Sequence, residues 1–246
     1  MIPAIDIINC TVVRLIQGNY RYETTYSHSP VEVAQMWDSY VVQMIHVVDL
    51  DGALHGEVMN LDVVKDIIRK VKARVEFGGG IRDEDTVKQL LDVGVERVII
   101  GTMALNGNFM AKLAKRFGDH VIAAIDARDG IVHTKGWIFK SKKKVTDLVK
   151  QLEEIGVKAI NYTDISRDGT LVGPNIASIE ELLKATKLRV VVSGGVASLN
   201  DVKALKKLEG LGLAGMIIGK ALYENKVDLA EVMKIIEPRK KGRNSC

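Results

Sequence analysis

Two short stretches, IPAID (2–6) and IAAID (122–126), read almost alike and end on aspartates 120 positions apart. They open a longer series. HVVDLDGALHG (46–56) resembles NYTDISRDGTLVG (161–173), GGGI (78–81) resembles SGGV (193–196), and VIIGTMAL (98–105) resembles MIIGKALY (216–223). These later offsets are 115, 115 and 118, and four matches in one order describe a chain made of two similar halves.

The matches sit on apolar runs: IPAID (2–6), MIHVVDL (44–50), RVEF (74–77), RVIIG (97–101), HVIAAID (120–126), KAINYTD (158–164), RVVVSGG (189–195) and GMIIG (215–219). None alternates strictly between apolar and polar, so each reads as a strand covered on both faces, as in a parallel sheet. Between them, residues 31–41, 61–71, 85–94, 146–156 and 199–208 space their apolar side chains at i, i+3 and i+4, the spacing of helices. Asn60 stands where a helix would be capped, and Gly94 and Gly156 stand where a left-handed residue would end one. Eight strands alternating with helices at roughly 31 residues per unit predict a single (β/α)8 barrel of two half-barrels. A doubly wound open sheet fits less well, since no GxGxxG turn follows the first strand. The barrel is expected over residues 1–236, with 237–246 as a basic tail.

Composition narrows the function. Hydrophobic residues at 47% exclude wholesale disorder, and no apolar run reaches the ~18 residues of a membrane span. The first residues lack the basic and small-residue signature of a secretory leader. Cys10 and Cys246 form no CxxC pair, and the histidines show no HxH or HxxxH spacing, so neither a disulfide framework nor a metal site is expected. The net charge of +4 owes much to PRKKGRNSC (238–246); with no recognition motif and aromatics at 5%, no nucleic-acid partner is expected. The expectation is a cytoplasmic monomer acting on a small molecule without a cofactor.

In such barrels the chemistry gathers at the C-terminal strand ends. Here these carry glycines and carboxylates in a pattern that each half repeats. Gly79 and Gly80 with Gly101 and Thr102 make one candidate phosphate cradle; Ser193, Gly194 and Gly195 with Gly219 make another, unless these glycines only shape tight turns. Asp6 and Asp126 end apolar strands at equivalent places, where each needs a partner or a task, and two such carboxyls could divide acid and base work. Bracing a loop is the alternative. Asp49 and Asp164 fit that structural role as well as a functional one. Arg14 and Arg82 could clamp an anion or lie in surface ion pairs, and His46 could face the bowl or pack in the core. Trp137 could stack on a ring within a closing loop or anchor that loop. Lys140 and Lys142–Lys144 read as the solvated approach to a helix.

IPAID with VVRLIQG (12–18), HVVDLDGA (46–53), FGGGIR (77–82), VIIGT (98–102), KGW (135–137), YTDISRDGTLVGPN (162–175), SGGV and IIGKALY (217–223) together resemble the ProFAR isomerase family of histidine biosynthesis. The resemblance runs from residue 2 to about 236. It implies a half-barrel duplication that performs a cofactor-free Amadori rearrangement on a bisphosphate. Asp126 would be the general acid, Asp6 the general base, and Thr163 an assistant to the acid. Arg14, His46, Arg82, Trp137 and Asp168 would touch the substrate, and Gly173 would join the second phosphate site. Related activities within reach of the same residues are a dual-substrate isomerase that also takes phosphoribosylanthranilate, and the sister cyclase of the pathway. A phosphosugar-binding barrel without catalysis is the alternative of another class. Cys10, where the family usually has glycine, and Asn19, where it usually has aspartate, are departures in the first loop.

Overall fold

The computed structural model describes residues 1–236; the basic tail lies outside the described residues. Twelve strands form: β1 (Ile2–Ile8), β2 (Thr11–Ile16), β3 (Asn19–Ser27), β4 (Met44–Asp49), β5 (Arg74–Gly78), β6 (Arg97–Ile100), β7 (Val121–Arg128), β8 (Ile131–Thr134), β9 (Phe139–Lys144), β10 (Ala159–Asp164), β11 (Arg189–Ser193) and β12 (Leu213–Ile218). Eight of them, β1, β4, β5, β6, β7, β10, β11 and β12, pair in parallel in that order, and β12 closes on β1. The result is a closed (β/α)8 barrel. Ten α-helices accompany it among the described residues: α1 (Pro30–Asp38), α2 (Leu50–His55), α3 (Leu61–Lys70), α4 (Glu84–Asp92), α5 (Gly107–Phe117), α6 (Val145–Glu154), α7 (Ile176–Ala185), α8 (Leu199–Lys206), α9 (Lys220–Tyr223) and α10 (Leu229–Ile236).

Strand parity decides what each residue meets. Outward residues such as Ile5, Val47, Phe77, Ile100, Ile125 and Ile160 join Trp37, Ile67, Leu90, Leu113 and Leu152 of the helices in one buried layer. Inward residues fill the bore, where Ile2, Ala4, Met44, Val191 and Ile217 cluster on one side and Ile99, Ile122 and Ala159 on the other. Both faces are therefore covered, which explains the continuous apolar runs.

The remaining strands correct the expected first and fifth loops. β1, β2 and β3 form an antiparallel extension, as do β7, β8 and β9. The two extensions match: Asp6 pairs with Val13 and Asp126 with His133, so the duplication reaches into the loops. Lys140 and Lys142–Lys144 do lead into a helix, α6, with Lys144 at its N-cap, but they do so as the edge strand β9, with mostly exposed side chains, and not as an irregular loop. Helix ends also differ in one respect. Gly94 (φ 103°) and Gly156 (φ 92°) are left-handed just past α4 and α6, as their positions suggest. Asn60 sits at the N-cap of α3, yet its side chain makes no capping bond, because it is engaged elsewhere.

Candidate active site

The C-terminal strand ends surround a cavity of about 230 Å³ whose lining includes Asp6, Arg14, His46, Arg82, Asp126, Trp137, Thr163 and Asp168. The ring order of the strands puts Asp6 on the first and Asp126 on the fifth of eight, on opposite sides of the mouth. Each is brought there by the inward parity of its strand. Among the described residues, no group of three or more His, Cys, Asp and Glu side chains is arranged to hold a metal ion.

The surroundings of the two aspartates differ. Arg14, on the hairpin strand β2, places Nη1 2.8 Å from Asp6 Oδ2, and both side chains are largely withdrawn from solvent. Burial works against the Arg14 charge, but Asp6 and Asp168 outweigh it and raise the guanidinium pKa above its ordinary value. The alternative of a surface ion pair therefore does not hold for Arg14. Among the described residues Asp126 has no arginine or lysine in an ion pair with it, and His46 and His133 are the smallest influences on it. Desolvation raises its carboxyl pKa, and the side chains of Trp137 and Thr163, which hydrogen-bond to it, pull only part of the way back. Asp168 is pushed up to about 6, first by burial and then by the charges of Asp6 and Asp126, against Arg14 and Lys220. Three carboxyl groups thus share one electrostatic field.

The glycine pairs have a steric origin. A Cβ on Gly79 (φ +118°) would lie 2.1 Å from the Asp49 carbonyl oxygen, and one on Gly194 (φ +95°) 2.9 Å from that of Asp164. The preceding loop is packed directly against each turn, so only glycine fits. Outside the strand ladders, the amides of Gly79, Gly80, Gly194 and Gly195 donate to no protein acceptor among the described residues. Such amides remain able to receive an anion. Gly79, Gly80, Gly101, Thr102 and Arg82 lie at one rim of the cavity. Ser193, Gly194, Gly195, Gly219 and Lys220 line an adjoining hollow that Arg14 and Asp168 also border. Gly173 differs, since its N–H is spent on the Gly195 carbonyl at 3.0 Å.

Asp49 and Asp164 are braces. Asp49 is fully buried and accepts from the amides of Gly52, Met59 and Asn60 and from the Asn60 side chain. Asp164 accepts from Ser166 and from Asn175, eleven positions on, as Asn60 is from Asp49. The Asn60 side-chain oxygen also accepts from the Cys10 amide at 3.1 Å, tying the first hairpin to the barrel. Arg82 is exposed, with its guanidinium over Gly56, and makes no ion pair among the described residues. Trp137 lies in the turn between β8 and β9, and its ring packs on Gly18 of the first hairpin. Asn161, His133 and Thr134 also line the cavity, although the sequence singles out none of them as a site residue. Asn161 was legible through parity alone, two residues before Thr163.

Comparison with known proteins bears on this geometry. The histidine biosynthesis protein family matches residues 1–228. This chain belongs to that family. A relative from Crocosphaera subtropica is 46% identical, covering 97% of this chain and 93% of its own length. One from Gloeobacter violaceus is also 46% identical, over 97% and 94%, and one from Pelotomaculum thermopropionicum 44%, over 100% and 95%. All three are named 1-(5-phosphoribosyl)-5-((5-phosphoribosylamino)methylideneamino)imidazole-4-carboxamide isomerase. Membership of the histidine biosynthesis family thus rests on near full-length likeness, and the duplicated strand ends are the part of the fold that such chemistry would use.

Proposed function

We infer that this chain is the isomerase its relatives are named for, converting the phosphoribosyl aminal (ProFAR) to its phosphoribulosyl ketose. One observation carries the reading: two carboxyl groups in unlike surroundings confront one cavity flanked by two glycine cradles. A substrate with a phosphate at each end would span the cradles and set its reacting sugar between Asp6 and Asp126. The cradles require glycine for packing alone, so the support comes from their open amides and their place at two rims.

In this scheme Asp126, desolvated and therefore disposed to hold a proton, gives it to the ribose ring oxygen as the C1–O bond breaks. The nitrogen lone pair forms the C1=N bond of a Schiff base. Asp6 then takes the C2 proton; the electron pair of that bond becomes the C1=C2 bond of an enaminol as the C1=N π pair returns to nitrogen. Protonation at C1 and loss of the hydroxyl proton yield the ketose. Thr163 holds the Asp126 carboxyl and carries no proton itself. Arg14, His46, Arg82, Trp137 and Asp168 are proposed to contact the substrate, and Gly173 to support the second phosphate site from behind Gly195. No step calls for a cofactor.

The test is NMR of the purified protein with ProFAR, which should show the aminal sugar signals replaced by those of a ketose. An unchanged spectrum at saturating substrate would reject the reading. A parallel incubation with phosphoribosylanthranilate separates a dual-substrate enzyme from a single-substrate one.

A further inference from the structure

Beneath the cavity the bore carries a polar cluster, His46, Glu76, Arg97 and Asn161, among apolar side chains. In the layer below Asp6 and Asp126 stand Ala4, Ile99, Ala124, Val191 and Ile217, but also Glu76, fully buried, and Asn161, 4% exposed. A carboxylate there is costly unless its oxygens are bonded. Only one is. Glu76 Oε1 lies 2.7 Å from His46 Nδ1 and accepts from Asn161 Nδ2 at 3.1 Å. Among the described residues Glu76 Oε2 accepts no hydrogen bond, and its ion-pair partner, the Arg97 guanidinium, is at the long distance of 3.9 Å. A half-satisfied carboxylate is a poor device for stability, so its place calls for another account.

That account lies in what Glu76 holds. His46 on β4 and Asn161 on β10 both line the cavity, whereas Glu76 lies under its floor and links them across the bore. The contact joins Oε1 to Nδ1, and a carboxylate can only accept, so Glu76 in that form requires the hydrogen on Nδ1. The opposite ring nitrogen, Nε2, is then the bare one, on the ring that borders the cavity near Asp126.

We propose that Glu76 is a positioning residue: it fixes His46 in the Nδ1–H form and presents Nε2 to the cavity as an acceptor for a sugar hydroxyl. The role for the hydroxyl rests on the isomerase reading; the tautomer does not. A glutamine at 76 would lack this discrimination, because its amide can donate to Nδ1 as well as accept from it.

The test uses the full chain with 15N-labelled histidine. In the ligand-free wild type, above the pH at which the ring is protonated, His46 (assigned by its loss in His46→Asn) should show a protonated Nδ1 and a bare Nε2. A protonated Nε2 overturns the proposal without any variant. Glu76→Gln should populate the other tautomer and lower kcat/KM about 10- to 100-fold, as loss of a tautomer-fixing partner does elsewhere. A Glu76→Gln protein that loses thermal stability but keeps both the wild-type tautomer and the wild-type kcat/KM makes Glu76 merely structural and overturns the proposal. Wild type with the expected tautomer but no turnover of ProFAR would instead remove the isomerase reading and leave the Glu76–His46 arrangement standing.

Discussion

Arg14 Nη1 lies 2.8 Å from Asp6 Oδ2, while the residue at the matching place 120 positions on, Thr134, brings Asp126 no charge. The first strand pair of each hairpin repeats its register between the halves, yet exchanges such as this one, and that of Val13 for His133, give the paired aspartates unlike electrostatic surroundings. Symmetry supplies two carboxyls; the break in symmetry sets them in unlike surroundings.

If the two divide acid and base work, Asp6→Asn and Asp126→Asn should each lower kcat by about 10²- to 10⁴-fold, the usual worth of a positioned acid or base. Binding of a bisphosphate product analogue, followed by calorimetry, should survive in both. Asp126→Asn should also unfold no more readily than wild type at pH 8, because it removes a carboxyl that burial makes reluctant to ionise. Retention of wild-type kcat in either variant would remove that residue from the scheme.

Asp168 supplies a pH signature. Its carboxyl is pushed up to about 6, above the ordinary 3.8, by burial and by Asp6 and Asp126, against Arg14 and Lys220. The folded state therefore binds this proton more tightly than the unfolded chain does. Its contribution to stability is complete below about pH 4 and is lost as pH rises through about 6. Asp168→Asn should flatten that fall, with the two stability curves converging or crossing by up to about 3 kcal/mol between pH 4 and 7. Urea unfolding at a series of pH values measures it, and parallel curves would show that Asp168 does not titrate there.

The eight barrel strands were legible because burial on both faces leaves an uninterrupted apolar run, and Asp6 and Asp126 because the repeat aligns them. The hairpins were not. Residues 19–27 are mostly exposed and polar, and FKSKKK (139–144) carries four cations, so neither resembles a buried strand. Consequently the closeness of Arg14 to Asp6 was hidden, since it exists only when residues 11–16 fold back along β1. The shift of Asp168 was hidden for a like reason, as it depends on groups converging from separate strands. Glu76 gave no signal, being one polar letter in RVEF. α2 and α9 are too short for a helical period to show.

The first hairpin holds a local conflict. Cys10 adopts a left-handed backbone (φ 58°) in the turn after β1, where the second half has Gly130 (φ 72°). That conformation costs a residue with a Cβ about 1–2 kcal/mol, part of which glycine returns through its greater freedom when unfolded. The Cys10 side chain is exposed, so its loss removes no buried contact. Cys10→Gly should therefore stabilise the protein by about 0.5–1 kcal/mol in urea unfolding, and Cys10→Ala should not. Equal midpoints for the two variants would mean that the turn bears no strain.

Trp137 joins the two hairpins, with its ring on Gly18 and its side chain hydrogen-bonded to Asp126. These contacts can be separated. Trp137→Phe keeps a ring against Gly18 but removes the indole N–H, which favours the ionised form of Asp126; the carboxyl should then rise further. The alkaline limb of kcat, where the acid loses its proton, should move to higher pH. Thr163, His46, His133 and Asp168 face the same group and remain in place. Trp137→Ala removes both contacts and should raise KM about 5- to 100-fold if the ring stacks on the substrate. The second tryptophan, Trp37, is buried against Tyr223, so a ligand-induced fluorescence change should be present in wild type and absent in Trp137→Phe. A change of equal size in both would place its origin in the core, and an unmoved alkaline limb would mean that Trp137 does not govern the proton on Asp126.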